Sequence, residues 1–127
     1  MDKRDNIHSI SGFESFNLNP GKKFCKMNDE LLLVCGTNNL FLVDIKAYQL
    51  INTIECDNII TLYKISDKYV LSGHDNGLIK QWECNGRDTK LFSYKSSAHA
   101  SNYVTTIFKI DDLIISGDSS GYIKLWN

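Results

Sequence analysis

Apolar residues in this chain fall into short runs rather than long stripes. Leu62–Ile65, Tyr69–Gly73 and Leu78–Trp82 are rich in β-branched and aromatic residues, and polar stretches of Ser-Asp-Lys and His-Asp-Asn-Gly separate them. Such side chains suit a pleated, half-buried surface, so each run reads as a strand. Asn76-Gly77 marks a tight hairpin, because both central positions of a type I′ turn need positive φ. Ser120-Gly121 stands at the same place in a later stretch. A polar connection over Asn85–Asp88 and a further strand over Lys90–Tyr94 follow Trp82. Neighbouring strand positions are both apolar, as expected where both sheet faces are covered. No stretch sustains a 3.6-residue period, so no helix is predicted.

The pattern repeats. Leu62–Trp82 superposes on Ile107–Trp126 with one deletion in the turn after Asp111, and Ser-Gly, Gly, Ile-Lys and Trp fall in register. The offset is 44 residues, both from Gly73 to Gly117 and from Trp82 to Trp126. A weaker copy spans Phe24–Ile45, with Gly36 matching Gly73 at an offset of 37 and Ile45 where the others carry Trp. The triplets Cys25-Lys26-Met27, Tyr63-Lys64-Ile65 and Phe108-Lys109-Ile110 recur at one position. Four short strands per unit of about 40 residues is the period of propeller blades.

These copies resemble the WD40 repeat of β-propellers. Ala98-His99 followed by Val104 is similar to the opening of that repeat, and Ser116-Gly117 with Ile123-Lys124-Leu125-Trp126-Asn127 to its close. The resemblance covers residues 24–127 and is strongest from 60 onward. It implies an all-β fold of about three blades, each a four-stranded antiparallel sheet, in an incomplete ring. The units run approximately over 24–58, 59–102 and 103–127. Residues 1–23 form an N-terminal segment, in which Ile7–Leu18 is expected to be extended and able to serve as a closing outer strand.

The resemblance also implies that a His, a Ser or Thr, an Asp and the Trp of one repeat form a buried hydrogen-bonded chain. Carried over, the third unit keeps His99, Ser116 and Trp126, with Ser120 at the Asp position. The second keeps Ser72 and Trp82, with Asn76 for Asp and Ile54 near the His position. The first has Cys35, Asn39 and Ile45. No copy is complete on this reading, which implies blades less rigid than those with the full set. A buried indole N–H and hydroxyl must find partners, so a structural role outweighs a Ser116–His99–Asp118 catalytic triad. His74, in the hairpin stretch, is expected to be a solvent-exposed turn residue.

Charge and composition narrow the function. Lys and Arg number 14 against 15 Asp and Glu, a net charge of −1, so nothing drives binding to nucleic acid or to an anionic membrane. The longest apolar run, Leu31–Val34, is far too short to span a bilayer, and no secretory leader is apparent, so an intracellular, cytoplasmic location is expected. Cys25, Cys35, Cys56 and Cys84 form no Cys-x-x-Cys pair, so no metal site is expected and they read as small buried or half-buried apolar residues. Tyr63, Phe108, Tyr122, Trp82 and Trp126 are expected to fill space between blades. Lys64 and Lys109 read as solvated or snorkelling rim residues. No phosphate loop follows the glycines, and Asp111-Asp112 reads as turn chemistry.

About three blades fall short of the four to eight or so that close a propeller. Three explanations follow: a piece of a longer propeller, two copies giving six blades, or an open array capped by another protein. A partial propeller, with self-association as its companion, is the expectation. The function expected is a non-catalytic protein–protein interaction scaffold with no cofactor. Its partner is a protein or peptide, or a second copy completing a six-bladed ring. Asn58 and Tyr103 at strand starts, and Asn38, Asp75 and Ser119 in hairpin turns, are the candidate contact residues. Two alternatives stay open: a small all-β hydrolase using His99 and Ser116, and a fragment of a larger WD40 protein with no function of its own.

Overall fold

The structure, a computed structural model, describes residues 23–95 and 98–126. The expected outer strand within Ile7–Leu18 lies outside the described residues. Among those described there are eleven strands and no helix. They are β1 (Phe24–Lys26), β2 (Leu31–Cys35), β3 (Asn39–Asp44), β4 (Gln49–Glu55), β5 (Ile59–Lys64), β6 (Tyr69–His74), β7 (Ile79–Asn85), β8 (Asp88–Lys95), β9 (Val104–Ile110), β10 (Leu113–Asp118) and β11 (Ile123–Trp126). They form three antiparallel meanders: sheet 1 (β1–β4), sheet 2 (β5–β8) and sheet 3 (β9–β11). The protein is all-β, built of blade-like sheets that do not close on one another. Sheets 1 and 2 have the four expected strands, whereas sheet 3 has three among the described residues.

Local chemistry sets the turns. Gly77 and Gly121 take φ of +85° and +89° in the β6–β7 and β10–β11 hairpins, which only glycine adopts without strain. Their N–H groups close the turns onto the carbonyls of His74 and Asp118. The shortened β9–β10 turn places Asp111 itself at φ +51°, a region that Asp tolerates better than most residues.

Inner strands β1, β5 and β9 lie side by side, and apolar layers fill the space between sheets. Leu31, Leu33, Leu40 and Leu42 of sheet 1 meet Ile59, Val70 and Trp82 of sheet 2. Leu71 and Ile79 on the other face of sheet 2 meet Val104, Ile107 and Ile114 of sheet 3. All four cysteines lie in or against the first layer, Cys35 and Cys84 buried and Cys25 and Cys56 half-buried. Gly73 is required for the second contact: a Cβ there would stand 2.7 Å from Val104 Cγ1.

Register corrects the reading of the first unit. Trp82 pairs with Val70, two residues before Ser72, and Trp126 with Ile114, two before Ser116. In sheet 1, Val43 pairs with Leu32, two before Val34. The turn bonds agree: Met27 N–H donates to Leu31 O as Ile65 N–H does to Tyr69 O. Val34 and Val43 therefore hold the Ser and Trp positions, not Cys35 and Ile45. Gly36 stands at the His74 position rather than at that of Gly73, and Phe41 follows its partner Val34 by seven positions against eight from Ser72 to Lys80, so the match is displaced by one residue at the Ser position and by two at the Trp position. Ile54 is also displaced, because it lies in β4 opposite Leu40.

Candidate interaction site and the buried polar chains beneath it

The connections between sheets and the β2–β3, β6–β7 and β10–β11 hairpins share one end of the molecule, as an antiparallel meander dictates. Directly beneath them in sheet 3 runs a complete buried chain. Asp118 Oδ2 accepts from His99 Nδ1 at 2.8 Å, and His99 Nε2 accepts from the Ser116 hydroxyl at 2.6 Å. Ser116 Oγ in turn accepts from the Trp126 indole N–H at 3.1 Å. The carboxylate fixes the tautomer, since it can only accept. Asp118 Oδ1 accepts from the N–H groups of Ser120 and Tyr122, so one side chain both orients His99 and shapes the hairpin. Burial alone would raise the Asp118 pKa; the hydrogen bonds from His99 and from those two N–H groups hold it below its ordinary value. Asp118, two residues after Ser116, supplies the carboxylate expected at Ser120.

Sheet 2 builds a shorter chain. His74 aligns with Asp118, and it is fully buried rather than an exposed turn residue. Its Nδ1–H donates to Asp57 O at 3.0 Å, and its Nε2 accepts from Ser72 Oγ at 2.7 Å. Trp82 Nε1–H donates to Ser72 Oγ at 2.7 Å. One imidazole thus spans what takes two side chains in sheet 3. Burial, the largest cause, pushes the His74 pKa down to about 4. Asn76 is not in this chain: its Oδ1 accepts from Leu78 N–H, and its side chain bonds Asp57. That bond and Lys80, 3.3 Å away, outweigh burial and hold Asp57 below the usual carboxylate range. The His99 position is taken here by Cys56. Its N–H donates to Asn38 O at 3.0 Å, as His99 N–H does to Gly77 O at 3.2 Å. Burial pushes the Cys56 thiol up to about 11.

Sheet 1 dispenses with polarity at this spot. Gly36 holds the His74 position, and a Cβ there would lie 2.5 Å from Phe41 Cε2. The Phe41 ring, 1% exposed, fills the slot that His74 fills in sheet 2.

Above these chains, the candidate contact residues come together in equivalent pairs. Asp75 N–H donates to Asn58 O at 3.2 Å, and Asn58 Nδ2 donates to Asp75 Oδ2 at 3.4 Å. One sheet on, Ser119 N–H donates to Tyr103 O at 2.9 Å, and Tyr103 N–H to Ser119 Oγ at 3.2 Å. Each pair ties a strand start to a hairpin. The Tyr103 side chain is half exposed, and Ser119 is exposed. Asn38, also exposed, is not part of an equivalent pair among the described residues; its carbonyl anchors Cys56. A hollow of about 180 Å³ beside this end is lined by His99, Ala100, Asn102, Asp118, Tyr122 and Lys124. Ser116 is fully buried and lies outside that lining.

Polar ties between sheets 1 and 2 gather at the opposite end. Lys64 Nζ donates to Met27 O at 3.0 Å and pairs with Asp67 at 3.2 Å, so this residue at the rim also ties the two sheets. Arg87 pairs with Asp44 at 3.0 Å, and Asn28 Nδ2 donates to Gly86 O at 3.0 Å. Lys109 is exposed. The expected filling between sheets holds for Trp82 and for Tyr63, which contacts Phe108 at 5.5 Å between ring centroids. It fails for Tyr122, 66% exposed, and for most of Phe108, 53% exposed. Phe108 starts from the face of sheet 3 turned away from sheet 2, its ring meeting Tyr63 beside the inner strand β9, and Tyr122 stands at the β10–β11 hairpin. Among the described residues, no group of three or more His, Cys, Asp or Glu could hold a metal ion.

No protein-family model matches this chain, and no curated protein sequence does. Among solved structures it is similar to the crystal structure of the computationally designed Ika4 protein, with a TM-score of 0.64 and 24% identity. The match covers 81% of this chain and 62% of that one, so the chain spans less than two thirds of the designed protein's length. At that identity the likeness shows the fold alone.

Proposed function

We propose that this protein is a non-catalytic interaction scaffold of WD40 type, binding a protein or peptide across the loop end of sheets 2 and 3. The observation that carries this reading is the repeated Asn58–Asp75 and Tyr103–Ser119 pairing. Each pair fixes a loop over a buried His–Ser–Trp chain, so exposed side chains are held at low entropic cost. A half-exposed Tyr on such a support is the kind of anchor that dominates binding energy. The Asp118–His99–Ser116 order suits a nucleophilic triad, but a nucleophile needs access to its substrate. Ser116 is buried, and its Oγ receives the Trp126 N–H. This favours the scaffold over the hydrolase.

Peptide display selection against the immobilised protein tests the reading. Selected peptides should lose at least tenfold in affinity for the Tyr103→Ala and Asp75→Ala variants and keep it for Lys109→Ala. Peptides indifferent to the first two variants would overturn the site. Ester hydrolysis abolished by Ser116→Ala would overturn the non-catalytic assignment.

A further inference from the structure

The chain carries two Asn-Gly dipeptides, Asn76-Gly77 and Asn85-Gly86. Asparagine is a labile side chain, and most so before glycine, where no Cβ shields the next backbone nitrogen from the Asn carbonyl carbon. The fold surrounds the two copies differently. In the β6–β7 hairpin, Asn76 Oδ1 accepts from Leu78 N–H at 3.2 Å, and its amide bonds Asp57. Gly77 is buried; its N–H points to His74 O, its carbonyl accepts from His99 N–H, and a Cβ on it would run into Ala100 O. In the β7–β8 hairpin, Asn85 and Gly86 are both exposed, and a Cβ on Gly86 would meet nothing within 4 Å. Among the described residues nothing bonds the Gly86 N–H, and the Asn85 side chain makes one bond, from Nδ2 to Glu83 Oε1 at 2.8 Å.

We propose that Asn85 is a site of spontaneous deamidation, and that the turn around Asn76 shields it from the same reaction. The Gly86 nitrogen gives its proton to solvent hydroxide and attacks Asn85 Cγ. A bond forms between that nitrogen and Cγ, the Cγ–Nδ2 bond breaks, and the amide group leaves as ammonia with a proton taken from water. Water then adds to the cyclic imide and breaks one of its two ring C–N bonds. The product is aspartate, or isoaspartate with the backbone running through the side chain. At Asn76 the bonded turn must open before Cγ can reach the Gly77 nitrogen. The reaction at Asn85 has a structural consequence. It replaces the amide that donates to Glu83 with a carboxylate, so two like charges meet. Isoaspartate also adds a backbone carbon where Asn85 pairs with Asp88. The next two residues hold ties to sheet 1: Gly86 O accepts from Asn28, and Arg87 pairs with Asp44. Deamidation therefore loosens this end of the layer between sheets 1 and 2.

Incubating the full chain in mildly alkaline buffer, followed by peptide mapping and mass spectrometry, tests this. The Asn85 peptide should gain about one mass unit and contain isoaspartate. In the native protein it should react about tenfold or more faster than the Asn76 peptide, because the Asn76 turn must first break its bonds. In urea the two should react at similar rates. Native rates that are equal, a faster Asn76, or an Asn85 that reacts only in urea overturns the proposal. So does the same preference for Asn85 in urea, which would trace it to sequence rather than fold. The urea midpoint should fall as Asn85 reacts, whereas Asn85→Ser incubated alike should keep its own. A midpoint unchanged after Asn85 has reacted overturns the loosening.

Discussion

A single hydroxyl organises the core of each polar chain. Ser116 Oγ serves His99 and Trp126, and Ser72 Oγ serves His74 and Trp82. Ser116→Ala would leave a buried imidazole nitrogen and an indole N–H without their partner. We expect a loss of about 1–3 kcal/mol, read from urea midpoints, and a similar loss for Ser72→Ala. A change within about 0.3 kcal/mol would refute that role. His74 gives a pH signature of its own. Its pKa falls from an ordinary 6.5 to about 4 in the fold, so the native state resists a proton that the unfolded chain accepts. The stability it secures is complete above pH 6.5 and is lost as pH falls toward 4, on the order of 3 kcal/mol in all. Urea titrations between pH 7 and 4 should show that slope, and His74→Phe should flatten it. An unchanged slope in the variant would place its origin elsewhere. The depressed carboxylates Asp57 and Asp118 act lower, losing their contribution as pH falls below 3.8.

Strands and hairpins repeat, but their surroundings do not. Gly73 and Gly117 occupy one position, yet a Cβ at Gly73 would meet Val104 Cγ1 at 2.7 Å across the inter-sheet contact. A Cβ at Gly117 would meet only Thr106 Cγ2, at 3.0 Å, and Tyr122 O, at 3.9 Å. Gly73→Ala should therefore cost roughly 1–3 kcal/mol, and Gly117→Ala less than about 1 kcal/mol. Equal costs in denaturant unfolding would show that sheet 3 does not pack on sheet 2 through this glycine. The glycines and hairpin signals were legible in the sequence, because turn geometry is a local demand. The match of the first unit fails because its glycine, Gly36, holds the His74 position rather than that of Gly73 and its hairpin is one residue shorter, and neither change leaves a mark in local composition.

At the scale of the whole molecule, the cysteines collect where no local rule put them. They lie apart in sequence, yet all four belong to the layer between sheets 1 and 2. Burial raises the pKa of Cys25, Cys56 and Cys84. A thiol reagent at pH 8 should label the native protein at least tenfold more slowly than the urea-unfolded chain, which should titrate four thiols. Fast labelling of even one cysteine in the native state would show that the layer opens readily.

The sequence alone determined the strands, their grouping into blade-like units, the hairpin glycines and the loop residues Asn58, Asp75, Tyr103 and Ser119. These depend on side-chain periodicity and turn chemistry, which neighbours along the chain specify. Only the tertiary structure decided that His74 is buried, that Asp118 rather than Ser120 orients His99, and that Phe41 stands in for a polar chain in sheet 1. Each of those depends on which side chain from another strand reaches a given point in space. Packing between strands far apart in sequence fixes that distance.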